Sequence, residues 1–511
     1  MIGKSYGDEY LLEIHKKERI IDSLIHYITD LNKINEELMS DLKHLKYETS
    51  HSIIWNIGKN FNTRFIVILF PTNTRRGKIY SHFLIALKKI LKLQKINQDQ
   101  ALTEIPEGLS PYMDSKGEHV AYHYKVFYSS ILHNAMMESP LHEYMKDFPL
   151  AVNDKIPRLV AFYLPQYHQI PENDAWWGEG FTDWRNVVKA VPQYIGHYQP
   201  HFPGELGFYD LNHYESLSRQ VNLAHHYGIY GFCFHYYWFD GKKMLEKPLN
   251  QFLAHPELQL NFCICWANEN WTRRWDGREN EILISQEYAP GYELAFIRDL
   301  APILRDQRYI KIEGKPVIIV YCAQNLPNVQ NCVSIWRNYC RENGIGEIFL
   351  IAAQTFSFSD PRPLGFDAAV EFPPHNLDKN SDMAQQVHLL NQNFSGGIKD
   401  YAKIVTQMAS RSGSSFTLFK CIAPGWDNTA RRINHPLILH GSTPALYRQW
   451  LHDTILFTKN NQDEDKQFIF INAWNEWAEG AHLEPDRKFG YAYLNVTADV
   501  LHELQKKLIP G

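Results

Sequence analysis

The sequence has no apolar run close to the roughly 20 residues that a membrane-spanning helix requires. Its first residues, MIGKSYGDEYLLEIHKK, contain early acidic side chains and no central apolar segment, unlike a secretory signal peptide. A strong charge excess is also missing, because the net charge is -5 over 511 residues. That balance gives no reason to expect a nucleic-acid partner. We therefore expect a cytoplasmic protein.

Cofactor and metal motifs are missing as well. The seven cysteines are scattered and mostly lie in apolar runs, which favours reduced core residues over disulfides. No strand-to-helix turn carries G-x-G-x-x-G or a P-loop, and the 24 histidines include no H-E-x-x-H. The histidines that follow apolar runs, His168, His235, His375 and His482, share no metal-ligand spacing. We expect no cofactor and no metal.

Aromatic residues, by contrast, are abundant. The chain has 13 Trp, 29 Tyr and 28 Phe, and many of them stand next to polar residues rather than in plain apolar runs. Sugar rings stack on aromatic faces while their hydroxyls form hydrogen bonds, so this composition suits a carbohydrate cleft. The alternative is that the aromatics fill a large core.

Residues 1–50 predict a coiled-coil helix. Isoleucine recurs every seven residues from Ile14 to Ile28, and Asn35 and Leu42 continue the series. A second seam consists of Leu24, Leu31, Leu38 and Leu45. Isoleucine in one seam and leucine in the other favours a parallel two-stranded coiled coil, so we expect a parallel homodimer. The alternative is an amphipathic helix that packs on its own domain.

Residues 51–156 predict a basic amphipathic region followed by a connector. No acidic residue occurs from position 61 to 96, whereas the same stretch contains Arg75, Arg76, Lys78, Lys88, Lys89, Lys92 and Lys95. A basic helix with apolar residues such as Phe83 and Leu87 on one side suits an anionic membrane surface. Peripheral contact with the inner membrane is therefore one expectation, and a solvated basic face is the other.

Residues 157–511 predict an α/β fold, a (β/α)8 TIM-type barrel. Eight apolar runs have strand character: RLVAFYLPQYH, GIYGFCFHYYW, FCICWANENW, PVIIVYC, IFLIAAQT, AAVEFPPH, FTLFKCIAPGWDN and FIFINAWNEW. Helix-like stretches alternate with them at 213–227, 293–306, 328–343, 382–410 and 443–459. This alternation predicts a parallel sheet, and eight repeats favour a closed barrel over an open doubly wound sheet.

Polar and aromatic residues crowd the C-terminal ends of these strands, where barrel enzymes place their active sites. Tyr321 and Gln354 stand at two of these ends. The candidate substrate-binding residues are Tyr163, Gln166, Tyr167, His168, Trp177, Trp184, His235, Tyr236, Tyr237, Trp238, Trp266, Asn268, Glu269, Trp271, Arg273, Glu371, Trp426, Asp427, Asn428, Asn475 and Trp477.

Glu476 and Glu479 are the candidate catalytic residues. They follow the last strand in NAWNEWAEGAHLEPD, and they can share a cleft if the chain bends after Glu476, with Gly480 easing the turn. Glycosidic chemistry needs two carboxyl groups in different environments. Indole walls would raise the pKa of one acid, and Asn475 could hold the other ionised. Glu269 and Glu371 are alternatives for either role.

The motifs AFYLPQYHQIPENDAWWGEGFTDW, GHYQPHFPGELGFYDL, CWANENWTRRWDG, EFPPH, WDNTARR and NAWNEWAEGAHLEPD resemble the glycoside hydrolase family 99-like group, also called WbsX-like proteins. The resemblance covers residues 157–508 and implies a (β/α)8 barrel. Family 99 enzymes are retaining endo-α-mannosidases whose Glu-Trp-x-Glu-Gly motif matches residues 476–480. The resemblance thus implies that Glu476 is the base toward the substrate's 2-hydroxyl and that Glu479 is the general acid, then base. Ala478 departs from the histidine often found there.

The resemblance also implies a biological setting. WbsX-like proteins are associated with bacterial cell-surface polysaccharide and lipopolysaccharide O-antigen biosynthesis and are often described as glycosyltransferases. We expect a retaining glycan-active enzyme, a hydrolase or a transglycosylase. One alternative is a sugar-nucleotide-dependent glycosyltransferase, for which Asp463-Glu464-Asp465 is the sole D-x-D match in the sequence. The other is a non-catalytic glycan-binding module.

Overall fold

The structure, a computed structural model, describes residues 139–148, 156–273, 278–377, 381–411 and 413–508. The expected coiled coil of residues 1–50 and the basic stretch of residues 75–95 lie outside the described residues. Within the described part of the connector, Glu143 contacts the C-terminal part of the chain. Its carbonyl accepts a hydrogen bond from the Tyr491 amide at 2.7 Å, and its carboxylate accepts one from Asn495 Nδ2 at 2.7 Å.

Eight parallel strands form a closed barrel. Their bounds are β1 Arg158–Tyr163, β2 Gly231–Phe239, β3 Asn261–Trp266, β4 Lys315–Val320, β5 Phe349–Gln354, β6 Ala368–Glu371, β7 Thr417–Ile422 and β8 Phe468–Ile471. Each strand pairs in parallel with the next one along the chain, and β8 pairs with β1, with Arg158 opposite Phe468. The predicted (β/α)8 barrel is confirmed, and all eight predicted strands are present.

Nine described α-helices accompany the strands. Their bounds are α1 Pro171–Trp177, α2 Trp184–Lys189, α3 Tyr214–His226, α4 Lys247–Ala254, α5 Tyr292–Leu304, α6 Val329–Glu342, α7 Tyr401–Ser410, α8 Pro444–Asn461 and α9 Ala492–Leu508. Four of the predicted helical stretches correspond to α3, α5, α6 and α8 within about two residues at each end. Among the described residues, no helix combines the length and the apolarity needed to cross a membrane.

The predicted helix over residues 382–410 is wrong in its first half. A short strand, Gly397–Asp400, precedes the helix and pairs with Leu437–His440. The helix α7 begins only at Tyr401, because the Asp400 carboxylate accepts hydrogen bonds from the amides of Ala402 and Lys403 and caps the helix there. Gly396 and Gly397, which weaken a helix, lie just before this cap.

Three short antiparallel strand pairs accompany the barrel, and a fourth forms the hairpin that contains Glu476 and Glu479. Lys242–Met244 pairs with the end of β2, Lys311–Ile312 with the start of β4, and Trp271–Arg273 with Arg278–Ile284. After β8, Asn475–Glu476 pairs with Ala481–His482. This last hairpin, residues 475–482, is called the acid hairpin below.

Candidate active site

The acid hairpin brings Glu476 and Glu479 to the same place. A 3-10 turn, Trp477–Glu479, reverses the chain, and Gly480 ends it with a left-handed φ of 59°. A Cβ atom on Gly480 would lie 3.0 Å from the Cβ of Asp427 and 3.1 Å from its amide nitrogen, so a side chain does not fit there. The bend that the sequence required after Glu476 is therefore present.

Arg431 joins the two carboxylates. Its Nη1 lies 2.7 Å from Glu476 Oε1 and 2.8 Å from Glu479 Oε1. Its Nη2 lies 2.6 Å from Oδ2 of Asp183, a fully buried residue at the start of α2. Three carboxyl groups thus share one guanidinium, and this site is called the acid cluster below.

The electrostatics of the acid cluster separate the two glutamates. The Glu476 side chain is 8% exposed and that of Glu479 is 21% exposed. Burial raises the pKa of Glu476 to about 8, with the charges of Glu479 and Asp183 acting in the same direction and Arg431 acting against them. Burial therefore favours the protonated form of Glu476.

The loop after β7 positions Arg431. Asp427 begins a 3-10 turn, and its Oδ1 accepts a hydrogen bond from the Thr429 amide at 3.0 Å. Its Oδ2 lies 2.6 Å from both His197 Nε2 and Gln199 Nε2. The Gln193 amide donates to His197 Nδ1 at 2.9 Å, so His197 Nε2 carries the proton and donates to Asp427.

This loop is also tied to the acid hairpin. The Asp427 amide donates to the Glu479 carbonyl at 2.6 Å. Asn428 Oδ1 accepts a hydrogen bond from the Leu437 amide at 2.8 Å. Asp427 and Asn428, predicted to bind substrate, thus bond to protein groups and order the loop that ends at Arg431. Burial favours the neutral form of Asp427, but His197 and the hydrogen bonds outweigh it and lower the pKa of Asp427.

Asn475 and Tyr167 connect the ends of β8 and β1. Asn475 Oδ1 accepts from the Leu164 amide at 2.7 Å, and its Nδ2 donates to the Leu164 carbonyl at 3.0 Å. The Trp477 amide donates to the Tyr167 hydroxyl at 3.1 Å. The Asn475 side chain is therefore engaged with backbone, and it does not hold a glutamate ionised as the sequence suggested.

Glu484 holds the Trp477 side chain in place through a hydrogen bond. Its carboxylate accepts hydrogen bonds from Trp477 Nε1 at 2.7 Å, Tyr209 Oη at 2.8 Å and Gln220 Nε2 at 2.6 Å. Burial raises the pKa of Glu484 to about 7, although these donors act in the opposite direction. Trp184 packs nearby, with its ring centroid 5.7 Å from that of Trp477. Trp184 and Trp477 therefore act as the support of the acid cluster.

Three aromatic residues respond to the charges of the acid cluster. Burial and the charge of Arg431 lower the pKa of His235 to about 4, and burial together with the charge of Glu476 raises that of Tyr237. Gln166 is hydrogen-bonded to Tyr237. Burial has the largest effect on Tyr321, and the charges of Glu269 and Glu479 raise its pKa further. Of the predicted substrate-binding residues, His235 and Tyr237 are therefore electrostatically coupled to the acid cluster.

The family match supports a carbohydrate site. Residues 159–497 match the family described as Glycosyltransferase WbsX. The chain belongs to the WbsX family. This confirms the resemblance drawn from the sequence motifs and places the chain in a family of carbohydrate-active enzymes.

Two curated relatives are named Uncharacterized protein WxcX and come from two strains of Xanthomonas campestris pv. campestris. For strain ATCC 33913 the identity is 47% over 353 residues, which is 69% of this chain and 51% of the relative. For strain B100 it is 48% over 343 residues, 67% of this chain and 49% of the relative. The chain spans about half the length of these relatives.

Solved structures that are similar to this chain include the following two. A glycoside hydrolase-like protein is 16% identical, with a TM-score of 0.45 over 74% of this chain and 99% of its own. The GH99 endo-alpha-mannosidase from Bacteroides thetaiotaomicron is 14% identical in its complex with bis-tris-propane, with a TM-score of 0.44 over 70% of this chain and 99% of its own.

At the rim of the cleft, this WbsX-family chain has a half-buried group of aromatic residues and an arginine. The Arg273 guanidinium carbon lies 5.4 Å from the centroid of the Trp177 ring. Trp271 packs edge-on against Trp176 and Tyr237, at centroid distances of 5.9 Å and 5.1 Å. Trp177, Trp271 and Arg273, which the sequence predicts to bind substrate, thus belong to one half-buried group that contacts Tyr237.

Four other predicted residues face the helices instead. Tyr163 Oη donates to Gln220 of α3 at 2.7 Å, and Trp238 Nε1 donates to Asp299 of α5 at 2.8 Å. Trp266 stacks on Phe296 of α5 with a centroid distance of 4.2 Å, and Tyr236 contacts the same ring at 6.3 Å. The structure therefore does not bring Tyr163, Tyr236, Trp238 or Trp266 to the cleft, because strand alternation turns them outward.

Glu371 also points away from the acid cluster. Its carboxylate lies 2.9 Å from Lys420 Nζ, and that ammonium is 4.8 Å from the centroid of the Phe457 ring on α8. Its other oxygen accepts from the Cys421 amide at 3.3 Å. Glu371 thus forms a buried ion pair between barrel and helix layer, which argues against it as an alternative acid.

Asn268 is bonded to backbone groups, and His168 is buried. Asn268 Oδ1 accepts from the Cys322 amide at 2.8 Å, and its Nδ2 donates to the Cys322 carbonyl at 2.9 Å. His168 is buried, and burial lowers its pKa to about 4, with Asp210 and Lys247 as its charged neighbours. Trp426 is buried beside a separate cavity described below.

Sequence reasoning missed Asp183 and Arg431. Both occur in quoted motifs, FTDW and WDNTARR, but no periodicity or spacing relates them to residues 476–479. Only closure of the barrel brings α2, the loop after β7 and the acid hairpin together.

Proposed function

We propose that this chain is a retaining carbohydrate-active enzyme that cleaves or transfers a glycosidic bond with Glu476 and Glu479. Its setting is the biosynthesis of bacterial cell-surface polysaccharide, such as lipopolysaccharide O-antigen, and its substrate class is a mannose-like oligosaccharide or polysaccharide. The observation that supports this proposal best is the acid cluster, in which one Arg431 nitrogen contacts both carboxylates.

The spacing of the two carboxylates argues against an inverting mechanism. Because both oxygens contact the same nitrogen, at 2.7 Å and 2.8 Å, they can be at most about 5.5 Å apart. Retaining glycosidases hold their two carboxyl groups roughly 5–5.5 Å apart, whereas inverting enzymes need roughly 6.5–9.5 Å to admit a water molecule. The acid cluster leaves no such room between the two contacting oxygens.

The proposed reaction uses the substrate's own 2-hydroxyl. Glu476 accepts the proton of that hydroxyl, whose oxygen attacks the anomeric carbon, while Glu479 gives a proton to the leaving oxygen. This step forms a 1,2-anhydro-sugar. The oxygen of water or of an acceptor hydroxyl then attacks the anomeric carbon while Glu479 takes its proton, the bond from that carbon to the 2-oxygen breaks, and Glu476 returns its proton to the 2-oxygen. Hydrolysis and transfer therefore differ only in the group that enters last. Glu476 must be ionised at the start to act as this base.

A sugar-nucleotide-dependent glycosyltransferase is the second candidate, and the family description favours it. Such enzymes commonly hold a metal and a diphosphate with a D-x-D at a strand end. Here Asp463-Glu464-Asp465 precedes β8, and the Glu464 carbonyl accepts a hydrogen bond from Arg158 Nη2 at the first residue of β1. This D-x-D therefore lies at the opposite end of the barrel from the acid cluster.

A non-catalytic glycan-binding module is the third candidate. It would use the aromatic rim around Trp177 and Trp271 and would not require two carboxylates on one guanidinium. The acid cluster counts against it, because binding alone does not require two carboxyl groups in different environments, whereas glycosidic chemistry does.

The test incubates the purified protein with labelled mannose oligosaccharides, with and without sugar nucleotides, and identifies products by mass. We expect shorter or rearranged oligosaccharides without any sugar nucleotide, and loss of these products in Glu476→Gln. The matched control is Glu342→Gln, at an exposed position of α6, which should retain activity. Products that form only with a sugar nucleotide would favour the second candidate, and binding without any product the third.

A further inference from the structure

A cavity of about 260 Å³ lies beside the acid hairpin, on the side that does not contain the two catalytic candidates. Gly480, Trp426 and Asp427 form part of its wall, and three potential metal ligands, His201, His482 and Asp486, form another part. One ligand atom from each of these three residues lies within 4.8 Å of the others. We infer that His201, His482 and Asp486 bind one divalent transition-metal ion of the Zn²⁺ type, a site that goes beyond the proposed reaction.

The distances suit such an ion after a small movement. His201 Nδ1 and His482 Nε2 are 2.9 Å apart. Zinc binds imidazole nitrogen and carboxylate oxygen at roughly 2.0–2.2 Å in tetrahedral geometry, so two nitrogens on one ion lie roughly 3.4 Å apart. Opening the histidine pair by about half an ångström would admit the ion. The cavity could supply a water molecule as the fourth ligand.

Hydrogen bonds already orient the ligands. His482 Nδ1 donates to the Glu484 carbonyl at 3.1 Å, so the Nε2 lone pair faces His201. Tyr198 Oη donates to Asp486 Oδ2 at 3.1 Å, and the Phe489 amide donates to Asp486 Oδ1 at 2.5 Å. A carbonyl on the far nitrogen of a histidine and donors to a ligating carboxylate are the usual outer partners of a metal site.

Ring stacking fixes both imidazoles. His201 stacks on Tyr198 with a centroid distance of 4.1 Å, and His482 stacks on Trp477 with a centroid distance of 3.8 Å and an interplanar angle of 16°. Two imidazoles and one carboxylate favour a first-row transition metal over Mg²⁺ or Ca²⁺.

Lys488 is the competing cation. It lines the same cavity, Asp486 is its charged neighbour, and its ammonium lies 4.3 Å from the centroid of the Tyr198 ring. A metal ion must therefore bind against the repulsion of this ammonium. Removing the Lys488 charge should increase the affinity for the metal ion. If His201 and His482 only form a hydrogen bond and no metal site, the substitution should leave the affinity for Zn²⁺ unchanged.

The consequence for the enzyme is structural. His201 belongs to the loop between α2 and α3, and His482 and Asp486 follow the acid cluster. An ion would tie these two segments together and hold the His482 ring against Trp477, which directly follows Glu476. We therefore assign the ion a positioning role and no role in proton transfer.

The experiment uses the full chain, stripped with a chelator and then titrated with Zn²⁺ by calorimetry, with metal content measured by mass spectrometry. Co²⁺ serves as a spectroscopic probe, because its visible absorption reports tetrahedral coordination. We expect one ion per chain, a raised melting temperature with Zn²⁺, and at least a tenfold increase in affinity for Lys488→Met.

Variants at the ligands and one matched control complete the test. His482→Gln and Asp486→Asn should lower the affinity at least 100-fold. His440→Gln, which replaces an imidazole of the same cavity outside the triad, should bind Zn²⁺ like the parent chain. Equal affinity in the parent and His482→Gln, or no effect of Lys488→Met on binding, would overturn the proposal. The Lys488→Met result decides the question even if a ligand variant does not fold.

Discussion

Arg431 governs the electrostatics of the two candidate catalytic glutamates. Without its guanidinium, Glu476, Glu479 and Asp183 would repel one another, and all three would favour their protonated forms. With it, part of the negative charge is neutralised, and burial still favours the protonated form of the deeper Glu476. The sequence identified the two glutamates from their position after the last strand, but a partner 45 residues earlier in the chain has no local signature.

The pH profile of kcat/KM tests the roles of the two glutamates. On a substrate with a good leaving group, which needs no proton from Glu479, only the ionised state of Glu476 is required if Glu476 is the base. On that substrate kcat/KM should rise about tenfold per pH unit as the pH approaches 8 and then level off. If Glu476 is instead the proton donor, kcat/KM on that substrate should show no such rise. We expect the rise.

The pH dependence of the stability of the fold tests separately whether the pKa of Glu476 is raised. Because the pKa of Glu476 is raised in the folded state, its proton stabilises the fold fully below the unfolded value of about 4.5. This contribution is lost as the pH rises through about 8. Glu476→Gln does not titrate, so its melting temperature should gain on that of the parent as the pH rises from 5 to 8. A constant difference would mean that the pKa of Glu476 is ordinary.

Substitution of each glutamate separates acid from base. Glu476→Gln and Glu479→Gln should each lower turnover by roughly 10²–10⁴-fold, the typical contribution of a positioned acid or base. On a substrate with a good leaving group, Glu479→Gln should recover activity because such a group needs little protonation. Glu476→Gln should not recover, because the 2-hydroxyl still lacks its base. Full activity in Glu476→Gln would contradict the proposed function.

Glu484 is unsuitable as a neutral comparison for these variants. It follows the acid pair in sequence, and from the sequence alone Glu484→Gln should cost little. In the structure its carboxylate accepts hydrogen bonds from three donors, one of them Trp477. A glutamine has only one acceptor oxygen, so at least one donor would lose its partner at a cost of about 1–3 kcal/mol. We therefore expect Glu484→Gln to lose stability and, through Trp477, some activity.

At the scale of the strand, the sequence predicted which segments form strands but not which side chains face the barrel interior. Each barrel strand is apolar on both faces, since one face packs in the barrel interior and the other packs on helices. Strand β2 illustrates this, because His235 and Tyr237 face the acid cluster while Tyr236 and Trp238 face α5. With no polar face to set the alternation, a sequence pattern cannot tell which aromatic residues enter the cleft.

Strand β6 supplies a direct test of such an orientation. Glu371→Ala would leave Lys420 buried without its carboxylate, and breaking a buried pair from one side typically costs about 3–5 kcal/mol. We expect a large loss in the free energy of unfolding and an unchanged kcat for the folded fraction. Chemical denaturation and active-site-normalised turnover measure the two quantities.

The double variant Glu371→Leu with Lys420→Leu controls for this loss. Replacing both charges with apolar side chains of similar size is often neutral, so most of the stability should return. Loss of turnover at unchanged stability in Glu371→Ala would place Glu371 in the chemistry after all.

At the scale of the whole molecule, the alternation of eight apolar runs with helical stretches was enough to predict the closed barrel, because short connections and right-handed crossovers leave few other arrangements. The helix predicted over residues 382–410 failed because a glycine pair and the Asp400 cap divide it. The N-terminal predictions concern residues outside the described ones and remain predictions. One is contact with a membrane, and the other is dimerisation.

Membrane contact is the first of these. If the basic stretch of residues 75–95 binds an anionic surface, each Lys or Arg contributes about 1 kcal/mol, and seven would give salt-sensitive binding. Sedimentation with anionic liposomes should therefore decrease in Lys88→Glu, Lys89→Glu and Lys92→Glu combined, and should disappear at high salt. Reversal of Lys242, Lys243 and Lys315, which lie on the barrel, is the matched control and should have little effect. Equal sedimentation of both triple variants would indicate that the basic stretch is simply solvated.

Assembly is the second. The two seams of residues 1–50 bury apolar side chains only if they meet a partner, and isoleucine in one seam with leucine in the other specifies two parallel strands. Light scattering should therefore give the mass of a dimer for the intact chain and that of a monomer after deletion of residues 1–50. The barrel supports this deletion, because β1 begins at Arg158 and closes the sheet with β2 and β8.

A point substitution tests the same seam without truncation. Leu31→Lys and Leu38→Lys together place charges in the centre of the leucine seam, which should dissociate the dimer, whereas Lys33→Glu, outside both seams, should not. Turnover per chain should stay the same in all these variants, because the acid cluster is built from one chain. A monomeric intact chain would show instead that the helix packs on its own domain.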